Sequence, residues 1–466
     1  MRFNSFAIAA TSLLSASSVS AIPRPHVIEV NPSDIKPRNL QGRAFKISQV
    51  TNVHFHQHGK GPRALAQVYE KYGLEIPEDL LVILRKIMED LGIDLPLVRT
   101  LAVDPAPGLA NGTAPYPNST APPTQGEVTA TPERFDVEYL APVEIGTPPQ
   151  TLMLNLDTGS SDLWVFSSET PVVQQGGQKL YDISKSTTAK KLGNHTWSIQ
   201  YGDGSRSSGN VYLDTVSIGG VAVKEQAVES ATSVSSAFTR DEASSGILGL
   251  GFDMLNQVVP NQQKTFISNA LDTLAMPLFS ANLRKAAPGN YNFGFIDSTE
   301  FIGNISFVDV DSSEGHWKFR ATAFSTGNNG TNGPISDIII PLGHTAIADT
   351  GTTLLMLPQA ITNAYYAQVG AAESSPTRGG WVFPCNTTLP DLTLYIGTYK
   401  AVIPGELINF APVDTDDFAT ATVCYGGVQS SSGFPFSIYG DVFFKAHWTV
   451  FHVGDKKLGF APRSGL

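Results

Sequence analysis

Two short segments repeat one chemistry-bearing pattern, Asp157-Thr158-Gly159-Ser160 and Asp349-Thr350-Gly351-Thr352. Each follows an apolar run, ending in Leu156 in the first copy and in Ile347-Ala348 in the second. That reads as a buried strand delivering a carboxylate onto a tight turn. Each copy is answered at nearly equal distance by an apolar-apolar-Gly triplet. Ile247-Leu248-Gly249 ends 92 residues after Asp157, and Ile438-Tyr439-Gly440 ends 91 residues after Asp349. One Asp-Thr-Gly is an ordinary Asx turn. Two in matched surroundings imply a duplicated lobe, each copy presenting one carboxylate.

The remaining residues of each tetrad fit carboxylate chemistry. Gly159 and Gly351 let the turns approach without side-chain collision. Ser160 and Thr352 offer hydroxyl donors that fix each carboxylate, and the Thr158 and Thr350 hydroxyls can tie the two loops together. Carboxylates within ~3 Å do not both ionise readily, so they share a proton and titrate as a pair. The ionised member can deprotonate a water while the protonated one polarises a scissile carbonyl and then aids amine departure. This chemistry calls for no covalent intermediate, no cofactor and no metal. A glycoside hydrolase also uses two carboxylates, but nothing in that reaction demands duplicated Asp-Thr-Gly loops.

The elements around these loops read as all-β. Thr151 to Leu156, Thr196 to Tyr201, Val211 to Ile218 and Trp448 to Val453 are short strand-like runs bounded by turn signals. With 42 Gly and 31 Pro in 466 residues, the chain is too rich in both to be mainly helical and long enough for two cores. Residues 1–21 read as a secretion signal: Arg2, the apolar run Phe6 to Leu14, then small residues at Val19-Ser20-Ala21. Residues 22–125 read as a propeptide, partly helical and ending in a Pro-, Ala-, Thr- and Gly-rich linker. Residues 126–335 form the N-terminal catalytic lobe and central region, and 336–466 the C-terminal lobe. Six sequons suit a secretory route: Asn111, Asn118, Asn194, Asn304, Asn329 and Asn386. In that oxidising route Cys385 and Cys424 are expected to pair, two buried thiols being the alternative. The formal charge of −11 argues against nucleic acid as a partner. No apolar run is long enough to span a bilayer.

The segments Asp157 to Trp164 (DTGSSDLW), Tyr201 to Ser205 (YGDGS), Gly246 to Leu250 (GILGL), Asp349 to Thr352 and Ile438 to Asp441 (IYGD) resemble the pepsin family of aspartic proteases. The likeness is strongest to its secreted fungal members of the penicillopepsin and aspergillopepsin type. It covers about residues 130–466 and parts of the precursor segment. It implies a two-lobed all-β endopeptidase, monomeric, acting on protein and peptide substrates in a cleft between the lobes. Tyr201, with Gly202, Asp203 and Ser205, would lie on a flap over that cleft, and Tyr201 would donate to Trp164. Phe238 would wall the pocket for the residue N-terminal to the cut, and Ile347 would add an apolar wall. Asp203 would either meet a substrate Lys ammonium or stabilise the flap turn. Cys385 and Cys424 match the family's C-terminal-lobe disulfide.

Lys71-Tyr72 resembles the family's inhibitory pair, so the propeptide itself is an expected partner, with the Lys between the carboxylates and the Tyr in the cleft. A plain helix end at Lys71 is the alternative. Residues 22–73 carry eight Lys and Arg against three Asp and Glu, whereas residues 126–466 carry 19 against 32. A basic segment on an acidic body is held at neutral pH and loosens as carboxylates protonate. Two departures stand out: the precursor segment is longer than usual, and no dibasic site lies near the expected mature start. A catalytically dead, peptide-binding family member is the alternative function. The run His54-Phe55-His56-Gln57-His58 completes no metal site with any other residues. Export is the expected destination, and a vacuolar one shares the same signals.

Overall fold

The computed structural model describes residues 60–72, 74–90, 124–132, 136–200, 206–327, 339–415 and 417–466. The signal segment, the His54–His58 run, most of the linker, the flap residues Tyr201, Gly202, Asp203 and Ser205, and the sequons Asn111, Asn118 and Asn329 lie outside the described residues.

The chain is an all-β protein of two lobes, and the duplication read from sequence is present as repeated topology. In the first lobe, strand Gln150–Asp157 runs parallel to Gly246–Gly249, with Asp157 opposite Gly249. Strand Leu163–Phe166 then pairs antiparallel to the same Gly246–Gly249 strand. In the second lobe, His344–Ala348 runs parallel to Ser437–Tyr439, and Leu355–Leu357 pairs antiparallel to it. Each tetrad therefore turns between two strands that flank a third. The central strand must come close, and Gly440 at its end shows why no side chain is tolerated there: a Cβ would strike the Thr352 and Leu354 carbonyls.

Apolar alternation explains the outer strands, and continuous burial the inner ones. Gly126–Pro132 alternates strictly, with every second residue buried. Leu163–Phe166 and Leu355–Leu357 are buried throughout, as expected for strands covered on both faces.

A sheet shared by both halves holds the lobes in register. Its strands run in the order Ser306–Asp309, Lys457–Pro462, His447–His452, Leu278–Arg284, Ala287–Phe293, Gly126–Pro132, and it continues into the first lobe. Phe279 and Phe451 stack across it at 4.7 Å, and Trp317 meets both edge-on. All three are essentially buried, and each such ring contributes about 2–3 kcal/mol relative to exposure. The second lobe adds five-, three- and four-stranded sheets, and Cys385 and Cys424 form a disulfide beside the last of these.

Two helices lie on this body. Helix α1 (Lys60–Lys71) buries Ala64, Leu65, Val68 and Tyr69 on one stripe, and α2 (Glu78–Asp90) buries Leu80, Ile83 and Ile87. Most of these side chains join a core with Leu354, Met356, Tyr425 and Ile438 of the second lobe. Acidic Glu78 and Asp79 open α2, and Lys71 closes α1, as the helix dipole favours.

Candidate active site

The two tetrads meet face to face. Thr158 N–H donates to Thr350 Oγ1 at 3.2 Å, and Thr350 N–H donates to Thr158 Oγ1 at 3.0 Å. Each hydroxyl in turn donates across the interface, Thr158 to the Ala348 carbonyl at 2.9 Å and Thr350 to the Leu156 carbonyl at 2.6 Å. Every donor here is buried, so breaking one bond strands a partner away from water. The glycines make the approach possible. A Cβ on Gly159 would lie 2.5 Å from Asp349 Oδ1, and one on Gly351 would strike Asp157 Oδ1.

Both carboxylates are oriented by near-symmetric donors. Asp157 accepts from Gly159 N–H at 2.8 Å and from Ser160 Oγ at 2.5 Å. Asp349 accepts from Gly351 N–H at 3.0 Å and from the Thr352 hydroxyl. Into this pair projects Lys71, the last residue of α1. Its Nζ donates to Asp157 Oδ1 at 2.7 Å and to Asp349 Oδ1 at 2.6 Å. Tyr72 donates to Asp349 Oδ2 at 2.5 Å. Its ring stands edge-on to Phe436 at 5.4 Å and to His316 at 5.9 Å.

Burial pushes both acids up, and the Lys71 ammonium pulls both down. The balance differs between them. Asp349, which also accepts from Thr352 and Tyr72, is held down at about 2. Asp157 is raised from its ordinary value, by burial first and then by the Asp349 charge. Burial works against the charge on Lys71, but Asp157 and Asp349 together raise it, so the ammonium is kept. The pair and its cation form one electrostatic unit.

A model of the eukaryotic aspartyl protease family matches residues 138–463. The chain is 44% identical to endothiapepsin of Cryphonectria parasitica over 97% of its own length and 98% of that protein. It is 48% identical to aspergillopepsin-1 of Aspergillus fumigatus over 73% of this chain and 82% of the relative. Penicillopepsin-3 of Penicillium janthinellum is 46% identical over 72% and 82%. This chain belongs to the eukaryotic aspartyl protease family. It is an aspartic-type endopeptidase, a peptide hydrolase, and these three relatives are fungal.

Beside the paired carboxylates of this aspartyl protease lies a cavity of about 480 Å³, bordered by Asp157, Trp164, Phe238, Ile247 and Thr352, with Arg63 of α1 also lining it. Phe238 sits edge-on to Trp164 at 5.1 Å. Trp164 is buried, and its Nε1 has no hydrogen-bond partner among the described residues. Ile347 departs from the expected placement. With α1 docked it is fully buried in the core that α1 joins and does not border the cavity. Asn194, Asn304 and Asn386 are all exposed. Among the described residues, no three His, Cys, Asp or Glu converge as metal ligands, and no helix is long and apolar enough to cross a membrane.

Sequence reasoning missed two parts of this site. The first is the aromatic landing for α1 and the residue after it: Phe434 packs on Tyr69 at 4.6 Å, and Phe436 packs on Tyr72. The Phe434-Pro435-Phe436 run was its only signal. The second is a buried acid pair beneath the first tetrad. Asn256 Nδ2 donates to Asp162 Oδ1 and Glu229 Oε1, each at 3.0 Å, and reaches the Ser161 carbonyl at 3.2 Å. Burial raises Asp162 to about 6, against the pull of the Gln257 N–H and Glu229. Burial and Asp162 push Glu229 well up. Because Asp162 is raised, its contribution to stability is full below the unfolded value of about 4. It fades as pH rises through about 6.

Proposed function

We propose that this endopeptidase is made as a secreted zymogen and cleaves between bulky apolar residues in acid, using Asp157 and Asp349 as a proton-sharing pair. In the active form one carboxylate takes a proton from water, which attacks the scissile carbonyl as the protonated partner donates to the carbonyl oxygen. The proton then passes to the departing amine. Ser160 and Thr352 hold the two carboxyls in orientation, and the Thr158–Thr350 grip holds the loops at working distance.

What supports this reading most directly is Lys71 Nζ within hydrogen-bond reach of both carboxylates at once. A cation seated there occupies the place a water and a carbonyl would need, so the form with α1 docked is inert. Removal of α1 would uncover the dyad and widen the neighbouring cavity. Acid-treated protein is expected to digest denatured protein and to be blocked by a statine-type inhibitor. Binding of peptide without any cleavage would favour the dead, peptide-binding alternative.

Asp203 gives the finer specificity. A flap carboxylate can pair with a Lys ammonium entering the first pocket. Asp203→Ser is therefore expected to lower kcat/KM at least about tenfold on a peptide with Lys before the cut, and to leave Phe and Leu peptides within about twofold. Equal losses on all three peptides would assign Asp203 to the flap turn instead.

A further inference from the structure

Phe238 is carried by a single helical turn, Ser236–Thr239, whose N-cap Ser235 makes no capping side-chain bond. So short a turn satisfies few of its own carbonyls, that of Phe238 accepting from the Asp241 N–H at 3.1 Å. One side chain draws this carbonyl and two that follow it together. Gln178 is 5% exposed, and its Nε2 donates to the carbonyls of Phe238 at 3.3 Å, Thr239 at 2.9 Å and Asp241 at 2.9 Å. Its Oε1 accepts from Gly176 N–H at 2.7 Å, which fixes the amide's orientation. The same loop adds Gln174, whose Oε1 accepts from Val234 N–H and whose carbonyl accepts from Thr239 Oγ1, both at 2.9 Å. The two segments lie so close that a Cβ on Gly176 would strike the Thr239 carbonyl.

We propose that Gln178 is a positioning residue for substrate selectivity. By clamping the 238–241 carbonyls it sets the Phe238 ring at 70° to Trp164, and so sets the preference for a bulky apolar residue before the cut. This rests on Phe238 being the wall of that pocket. The side chain must be an amide, because the clamp needs two hydrogens on one end and an acceptor on the other. Methionine fills similar space with no donor, so the Thr239 and Asp241 carbonyls lose this donor while that of Phe238 keeps its backbone one. Glutamate keeps one O–H donor while protonated, but as a carboxylate it repels the same carbonyls.

The test uses the active enzyme and two peptides differing only by Phe or Ala before the cut. The ratio of their kcat/KM values cancels both the folded fraction and the protonation of the dyad, so a merely structural role does not move it. Gln178→Met is expected to lower the Phe-over-Ala ratio at least about tenfold, the scale of a lost apolar pocket contact. Phe238→Ala should do the same or more. Gln178→Glu should hold much of the wild-type ratio at pH 3 and lose it by pH 6, where the wild-type ratio stays flat. A fall with Phe238→Ala but a wild-type ratio in Gln178→Met, or a pH-flat ratio in Gln178→Glu, would overturn the role of Gln178. An unchanged ratio in Phe238→Ala would overturn the pocket assignment on which it rests.

Discussion

Asn at either Asp157 or Asp349 is expected to lower kcat on an oligopeptide by about a thousandfold or more, with KM changed little. Positioned general acid–base groups contribute roughly a hundred- to ten-thousandfold, and in the proposed mechanism the base and the acid are the two halves of one site. An amide can neither take the proton from water nor carry the shared one. The fold should survive. Asn keeps an oxygen to accept from Gly159 N–H or Gly351 N–H, and the Thr158–Thr350 bonds do not involve the carboxylates. Circular dichroism checks the fold and steady-state kinetics the rate. A mutant that is fully active and correctly folded would separate the dyad from catalysis.

Removing Lys71 is expected to open the precursor before any cleavage. Truncating one partner of a buried, hydrogen-bonded ion pair costs about 3–5 kcal/mol, enough to move the docked fraction of α1 by a hundredfold or more. Lys71→Ala precursor should therefore cleave a reporter peptide before it is itself cut, whereas Lys86→Ala, on the exposed side of α2, should stay silent. The pH dependence follows from the dyad. With α1 docked, Lys71 helps hold Asp349 down at about 2. Undocking removes that cation, so the carboxyl's pKa rises. A group depressed in the docked state favours docking above its undocked pKa and stops doing so as pH falls toward about 2. Wild-type precursor should be inert near neutral pH and convert itself in acid. If Lys71→Ala precursor proved as silent as wild type, Lys71 would be no more than the end of α1.

The parts of this protein legible in its sequence were those encoded by local repetition. Asp157 and Asp349 announce themselves because each tetrad needs glycine for close approach and a hydroxyl for orientation, and that combination is rare twice over. Strands such as Thr151 to Leu156 and Val211 to Ile218 were legible as short runs bounded by turn signals, and both lie within observed strands. The shared sheet was not, since Leu278–Arg284 pairs with His447–His452 across a long stretch of chain and nothing in either segment names the other. Asp162, Glu229 and Asn256 were invisible for the same reason: three polar residues scattered along the sequence become one buried cluster only when the strands fold together. Ile347 shows the converse limit. Its apolar character suggested a wall of the cleft, but apolar character alone does not say whether a strand residue faces the cleft or the core.

The most direct test of the shared-proton dyad is the pH dependence of kcat/KM for the active enzyme on a single uncharged peptide between pH 2 and 8. One proton must stay on the carboxyl pair and one must leave it, so the profile should be bell-shaped with both limbs on the acid side of neutrality. A rate that rises steadily to neutral pH or beyond would contradict catalysis by Asp157 and Asp349 as a pair.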